Sequence, residues 1–230
     1  LIMNLVLWKL LFSSMNTAQF AGMTLSEVIL FFCIRRLVLY LRVGSTDTSN
    51  KIRKGQLDYE LVRPIDYHIR MIWGSMGWFS LKFVIALIYF FILLIFFGLA
   101  TPDSLLVWLL FSISLTFTFL VSFYLAEILS ECGFWLGKDN SMQWILSGLL
   151  GFLDGSMIPV NMFPAWLQMI NNFLPFKYIA STPTLIYMNK YGLMWGLRQI
   201  GYQVIWVILF IILLKFVWKK GLKRYDSQGG

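Results

Sequence analysis

Apolar runs separated by short polar breaks organise the chain. Residues 1–12, 25–43, 81–100, 105–126, 141–158 and 199–218 are each largely apolar, and no stretch alternates at the period of a strand. About 20 apolar residues at about 1.5 Å each cross a hydrocarbon core of roughly 30 Å. The pattern predicts an all-α membrane protein with six transmembrane helices in a single domain. The run at 1–12 reaches only about 18 Å. It is expected to be the end of a truncated first span, since the chain opens on Leu rather than Met. Thr24-Leu-Ser-Glu27 has the spacing of a capping box and opens the second helix. Arg35 and Arg36 interrupt that helix and are expected to snorkel to headgroups. The fourth helix is expected to run past Glu127 and Glu131 to about Phe134.

One stretch breaks the pattern. After Ser147 the fifth run meets Gly155 and Pro159, then continues through Pro164, Pro175 and Pro183 without becoming hydrophilic. Punctuated apolar backbone at membrane depth is tolerated only where protein buries it or it lines a wet cavity. Pro164 can start a short helix. In that helix Trp166, Ile170, Phe173 and Leu174 form an apolar stripe, with Gln168, Asn171 and Asn172 opposite. The expected result is a set of re-entrant helices between spans five and six, with an amphipathic helix in the interface. Gly151 and Gly155 form a GxxxG, which permits close helix contact.

Composition agrees with the pattern. The chain is 59% hydrophobic and 13% charged, against about 45–50% and about 25% for soluble domains, so little is left for a soluble domain. A net charge of +8 would suggest nucleic acid in a soluble protein. Here the Lys and Arg gather in 44–72, 132–140 and 219–230, while 13–24 and 100–104 carry none. The positive-inside rule places both termini and the 44–72 loop in the cytoplasm and 159–198 outside, and nucleic acid is not an expected partner. No sequence repeat supports an inverted-repeat carrier.

Candidate chemistry is sparse. In the loop, Ile52, Leu57 and Leu61 make a broken apolar stripe among charges of both signs, and Pro64 ends the segment. This helix suits a groove on a partner protein, or else lies on lipid. Gly133-Phe-Trp-Leu-Gly-Lys138 lacks the spacing of a phosphate loop, so no nucleotide site is expected. Glu127 and Glu131, at i,i+4, are either a proton or cation site or a wet helix end. Asp154 lies in the fifth run and is expected near its outer end. His68, the sole histidine, is expected at the surface of a polar loop. Cys33 and Cys132 give no disulfide framework, and no metal site is expected because no Cys/His/Asp/Glu cluster has ligand spacing. No GxSxG elbow appears, and the chain is not expected to be an enzyme.

Gly55-Gln-Leu-Asp58 followed by Leu61-Val-Arg-Pro64 resembles the G-x-L-D-x-x-L-x-R-P loop of ABC-2 type permeases. These are the membrane subunits of bacterial ATP-binding-cassette exporters. Phe134-Trp135, Gly155-Ser-Met-Ile-Pro159, Phe163-Pro164, Leu174-Pro-Phe176 and Pro183 follow that family's order. The Gly229-Gly230 ending is similar to its antibiotic- and multidrug-export branch. The resemblance runs from about residue 25 to the end. The family's cytoplasmic N-terminal helix and most of its first span are missing from it. It implies a permease of the bacterial cytoplasmic membrane that pairs with a second copy or a similar partner. Two separate ATPase subunits would bind below, holding ATP and Mg, with no cofactor in this chain. Gly55, Leu57, Asp58, Leu61, Arg63 and Pro64 would form the coupling helix in the ATPase groove. Asp154, Gly155, Pro159, Phe163, Pro164, Trp166, Pro175 and Phe176 would line the re-entrant exit gate. The cargo would be a hydrophobic or amphiphilic drug, peptide or lipid. Competing expectations are a lipid-modifying membrane enzyme using Asp154 or His68, and a non-transporting regulatory subunit of an ATPase.

Overall fold

The computed structural model describes residues 2–15, 19–20, 22–98, 100–136, 148, 151–155 and 158–225. Most of the expected fifth span, and residues 137–138 of the Gly-rich loop, lie outside them. The described residues are mostly helical. α1 spans Ile2–Met15 and α2 spans Leu25–Leu41, separated by a two-residue antiparallel ladder in which Phe20 faces Met23. α3 (Thr48–Arg53) and α4 (Leu57–Leu61) form the loop. Three long helices follow in order: α5 (Tyr67–Phe97), α6 (Leu105–Glu131) and, after the broken stretch, α10 (Leu193–Leu222). Between α6 and α10 lie α7 (Gly133–Leu136), α8 (Ala165–Asn172) and α9 (Ser181–Tyr187).

Three helices among the described residues are long and apolar enough to cross a membrane: those beginning at Tyr67, Leu105 and Leu193. Each exceeds its expected span. α5 starts at Tyr67 rather than Leu81 because the Asp66 carboxylate caps it, accepting from the backbone N–H of His68 and Ile69. It stops at Gly98, whose φ of 54° is left-handed. α2 opens as expected on its capping box, with Thr24 Oγ1 and the Glu27 carboxylate exchanging bonds with each other's backbone N–H.

α2, α6 and α10 run parallel and α5 runs against them. One end of the bundle carries Thr24, the 98–104 turn and Gly192. The other, the loop end, carries residues 42–66, Glu131 and Lys223. α6 is central. Val121 and Ile128 pack with Val207, Phe210 and Leu214 of α10. Phe111 and Leu115 join Ile34, Val38 and Leu41 of α2, Phe90 of α5 and Tyr187 of α9. α5 leaves much of its apolar surface exposed from Leu81 to Ile95. In a membrane that surface meets lipid.

Candidate functional site

The break at 153–155 is a helix end with its carbonyls individually satisfied. Asn171 Nδ2 of α8 donates to Leu153 O at 2.9 Å, Ser181 Oγ of α9 to Asp154 O at 2.6 Å, and Arg35 Nη1 of α2 to Gly155 O at 2.8 Å. Helix ends leave carbonyls orphaned, and burying them unpaired costs about as much as a lost hydrogen bond. Three elements supply the three caps. Gly155 is left-handed, with φ of 84°, and a Cβ there would overlap Ser181 Oγ. The residue must be glycine to make this turn.

Arg35 is therefore not a snorkelling side chain: it is 5% exposed and bound to the break, while Arg36 is exposed. Only a filled acceptor makes a buried guanidinium tolerable. Asp154 is also fully buried, and Arg42, at the end of α2, reaches its Oδ2 at 3.3 Å. The break thus sits against the loop-end half of α2, and Asp154 is not at the end of the bundle opposite the loop, where it is expected from the sequence, because Arg42 holds it. Gly151, the other half of the GxxxG, meets no neighbour within 4 Å among the described residues, so the motif makes no close helix contact there.

The rest of the stretch buries part of its polar face, with Asn172 left exposed. Asn171 is fully buried and Gln168 Nε2 donates to Phe163 O at 2.7 Å, whereas Trp166, Met169, Ile170 and Phe173 are exposed. This amphipathic helix turns its polar side into the protein and its apolar side outward, as a lipid-facing helix does. Pro164 occupies the cap position and Ala165 is the first helical residue. Phe163 is buried with its ring stacked on Phe152, and Pro159 and Pro175 are buried. Beside the break lies a cavity of about 220 Å³ lined in part by Gln168, Lys177, Ser181, Thr182 and Gln199. It is smaller than the roughly 300–1,000 Å³ of drug-sized sites.

A polar seam on α6 ties this stretch to the loop. Ser114 Oγ donates to Gln203 Oε1 of α10, and Gln203 Nε2 donates to Tyr178 O at 2.9 Å, behind the break. Ser122 Oγ accepts from Val43 N at 3.0 Å. Ser130 Oγ donates to Thr46 O and accepts from Ser49 N, and Thr48 Oγ1 donates to Glu127 Oε1. None of these residues was singled out from the sequence except Glu127. The signal was there: Ser114, Thr118 and Ser122, like Gln199 and Gln203, recur at i,i+4 inside apolar spans.

The loop is two short helices rather than one, broken at Gly55 with φ of 67°. The expected stripe divides. Leu57 is fully buried against Tyr67, Phe134 and the partly buried Ile52, inside this chain. Leu61 is 42% exposed, beside exposed Tyr59, Val62, Pro64 and Ile65. Asp58 is half-buried, and its carbonyl accepts from Val62 N. Arg63 is exposed, with Nε 3.9 Å from Glu60 Oε2. Glu60 also holds Lys51 Nζ at 2.8 Å and Arg70 Nη1 at 2.7 Å. The Lys51 bond, ahead of the other cations, keeps the Glu60 carboxyl below its usual range despite partial burial.

His68 is not a loose surface residue. It lies in the first turn of α5, and Nε2 is 2.6 Å from Glu131 Oε1. Glu127 and Glu131 are both fully buried, so neither is a wet helix end. Ligand atoms of His68, Glu127 and Glu131 all lie within 4.8 Å of one another. Sequence spacing does not suggest this cluster, because α5 and α6 bring together residues 59 and 63 positions apart. Two ionised carboxylates this close repel by about 3 kcal/mol or more at an effective dielectric near 20.

No curated protein and no solved structure matches the chain. The family model described as ABC-2 family transporter protein matches residues 1–229. A multi-pass helical protein with a fastened loop at one end and a capped break within it fits that match, and the chain belongs to the ABC-2 transporter family, as a membrane component of transport.

Proposed function

We propose that the chain is the permease subunit of an exporter, moving a hydrophobic or amphiphilic molecule outward under the drive of separate ATPase subunits seated at the α3–α4 loop. The family normally works with ATPase subunits. One observation carries the reading: α6 holds the loop by Glu127 and Ser130, and through Ser114 it holds Gln203 of α10, which bonds Tyr178 O in the broken stretch. Force entering at the loop has a rigid hydrogen-bonded route to the break. Six spans, cytoplasmic termini, a pairing with a second permease, and a re-entrant stretch that enters from the outer side and reaches in to the loop-end half of α2 complete the proposal. The multidrug or antibiotic branch is proposed from the resemblance of the Gly229-Gly230 ending.

In this proposal the ATPase meets the exposed side of α4: Tyr59, Leu61, Val62 and the chain through Pro64. Leu61→Asp is expected to release the ATPase while leaving permease stability unchanged. Leu57→Asp buries a charge and is expected to unfold the loop end. Co-purification in detergent, with unfolding midpoints for both variants, checks this. ATPase recovery unchanged in Leu61→Asp would sink the seat.

A further inference from the structure

We propose that His68, Glu127 and Glu131 form a binding site for one divalent transition-metal ion of the Zn2+ class. The three side chains come from the first turn of α5 and the last two turns of α6, and their ligand atoms fall within 4.8 Å of one another. Both glutamates are fully buried, and Glu131 Oε2 has no hydrogen-bond partner, while Glu127 has the Thr48 and Thr46 hydroxyls beside it. A buried carboxylate oxygen without a donor, beside a second carboxylate and an imidazole, suits a cation. The ligand set names its class. One imidazole with two carboxylates suits Zn2+ and its neighbours, whereas Mg2+ and Ca2+ take oxygen alone.

Thr48 of α3 holds the cluster from the loop side. Thr48 Oγ1 bonds Glu127 Oε1 and is itself 2.7 Å from Tyr67 Oη. Asp66 Oδ1, which caps α5, lies 3.8 Å from His68 Nδ1, the nitrogen facing away from Glu131, as a neighbouring charge and not a hydrogen-bonded support. Metal–ligand bonds of about 2.0–2.2 Å separate neighbouring ligand atoms by roughly 3–3.5 Å. The ion therefore replaces the 2.6 Å His68–Glu131 contact after a small side-chain rotation. Two carboxylates and a neutral imidazole neutralise a divalent charge. The ion clamps α5 onto α6 directly beneath α3. The inference does not rest on the transport reading.

His68 is the sole histidine, so a chain purified with a histidine-free tag gives a clean test. The full chain in detergent is stripped with chelator, loaded with Zn2+, desalted, and its metal measured by mass spectrometry. One ion per chain is expected. His68→Gln and Glu131→Gln are expected to weaken Zn2+ binding about a hundredfold or more, since even an outer-shell partner is worth 10–100-fold. Co2+ loading should give d–d absorption that Zn2+ removes. Sub-stoichiometric metal, or equal affinity in wild type and variants, overturns the site. If the variants do not fold, diethyl pyrocarbonate labelling of His68 in the wild type decides. Zn2+ should protect it, Mg2+ should not, and labelling unchanged by Zn2+ overturns the proposal.

Discussion

Gly155 and Ser181 are predicted to be energetically coupled, and the sign of the coupling follows from their geometry. Ser181 Oγ caps Asp154 O at 2.6 Å, and a Cβ on Gly155 would occupy the same space as that hydroxyl. Ser181→Ala leaves a buried carbonyl unpaired, at about 1–2 kcal/mol. Gly155→Ala forces an L-residue to a φ of 84°, a strain of roughly 1–2 kcal/mol, and also displaces the Ser181 hydroxyl. The single change therefore totals about 2–4 kcal/mol, because it includes the lost cap. In the double variant the cap is lost only once. Its cost should fall short of the sum of the singles by about 1–2 kcal/mol. The contact of the new Cβ with Val160 Cγ2, at 3.1 Å, is present in both alanine backgrounds at position 155 and cancels from the cycle.

The assay is reversible unfolding in mixed micelles with increasing denaturing detergent, followed by tryptophan fluorescence for all four proteins. Additivity within about 0.3–0.5 kcal/mol would refute the shared cap, since uncoupled sites add to that tolerance. A coupling of the predicted size with transport abolished in both Gly155 variants would show that the turn, and not only its stability, is required.

Arg35→Met removes a charge-assisted bond to Gly155 O, at about 1.5–3 kcal/mol, offset in part by relief of a buried cation; a net loss of about 1–2 kcal/mol in the same unfolding assay is expected, and none if Arg35 only snorkels. Gly221→Ala places a Cβ under 3.0 Å from three ring atoms of Phe134, an overpacking of about 1–3 kcal/mol. It should shift Trp218 emission, and Phe134→Leu should restore it. The folded Glu60 carboxyl has a lowered pKa, so its ion-pair clasp, worth about 1 kcal/mol, is fully present above the unfolded value near 4.5 and lost as pH falls through the folded value. Hydrogen exchange over 51–70, corrected for intrinsic rate, should show protection lost below that range in the wild type, with Glu60→Gln lacking the transition.

Local rules carried the sequence where one element decided the outcome. The Thr24 cap and the helices over the apolar runs of α2, α6 and α10 depend on neighbours within a few residues, and the structure has the cap and a helix at each of those runs, with different ends. The same rules failed where a polar residue was satisfied from far away. Arg35 reads as a snorkeller because its acceptor, Gly155 O, is 120 positions on. His68 reads as a loop residue because Asp66 was not recognised as the cap that extends α5 to Tyr67. Leu57 and Leu61 share a helical face by spacing, yet the turn at Gly55 sends one inward and leaves the other out. The polar seam was visible as i,i+4 recurrence in spans that need no polar residue for solubility.

The caps of the break also constrain how it can move. Arg35 and Arg42 lie on α2 and its end, and they hold Gly155 O and the Asp154 carboxylate respectively. Separating α2 from the break would strand a buried carbonyl and two charges at once, which is far costlier than moving them together. In the proposed transport cycle, α2 and residues 154–155 therefore travel as one body. The chain leaves α2 directly into the loop that would seat the ATPase, with Val43 N fixed on Ser122. A displacement of the loop reaches the break within the last turns of α2, at Arg42 and at Arg35 about 10 Å further along. The element free to yield is α8, whose Asn171 gives up one neutral bond to Leu153 O and whose other face is exposed, whereas α9 is buried against α2, α5 and α6. Opening is thus expected on the α8 side of the break, with the arginine side as the lever.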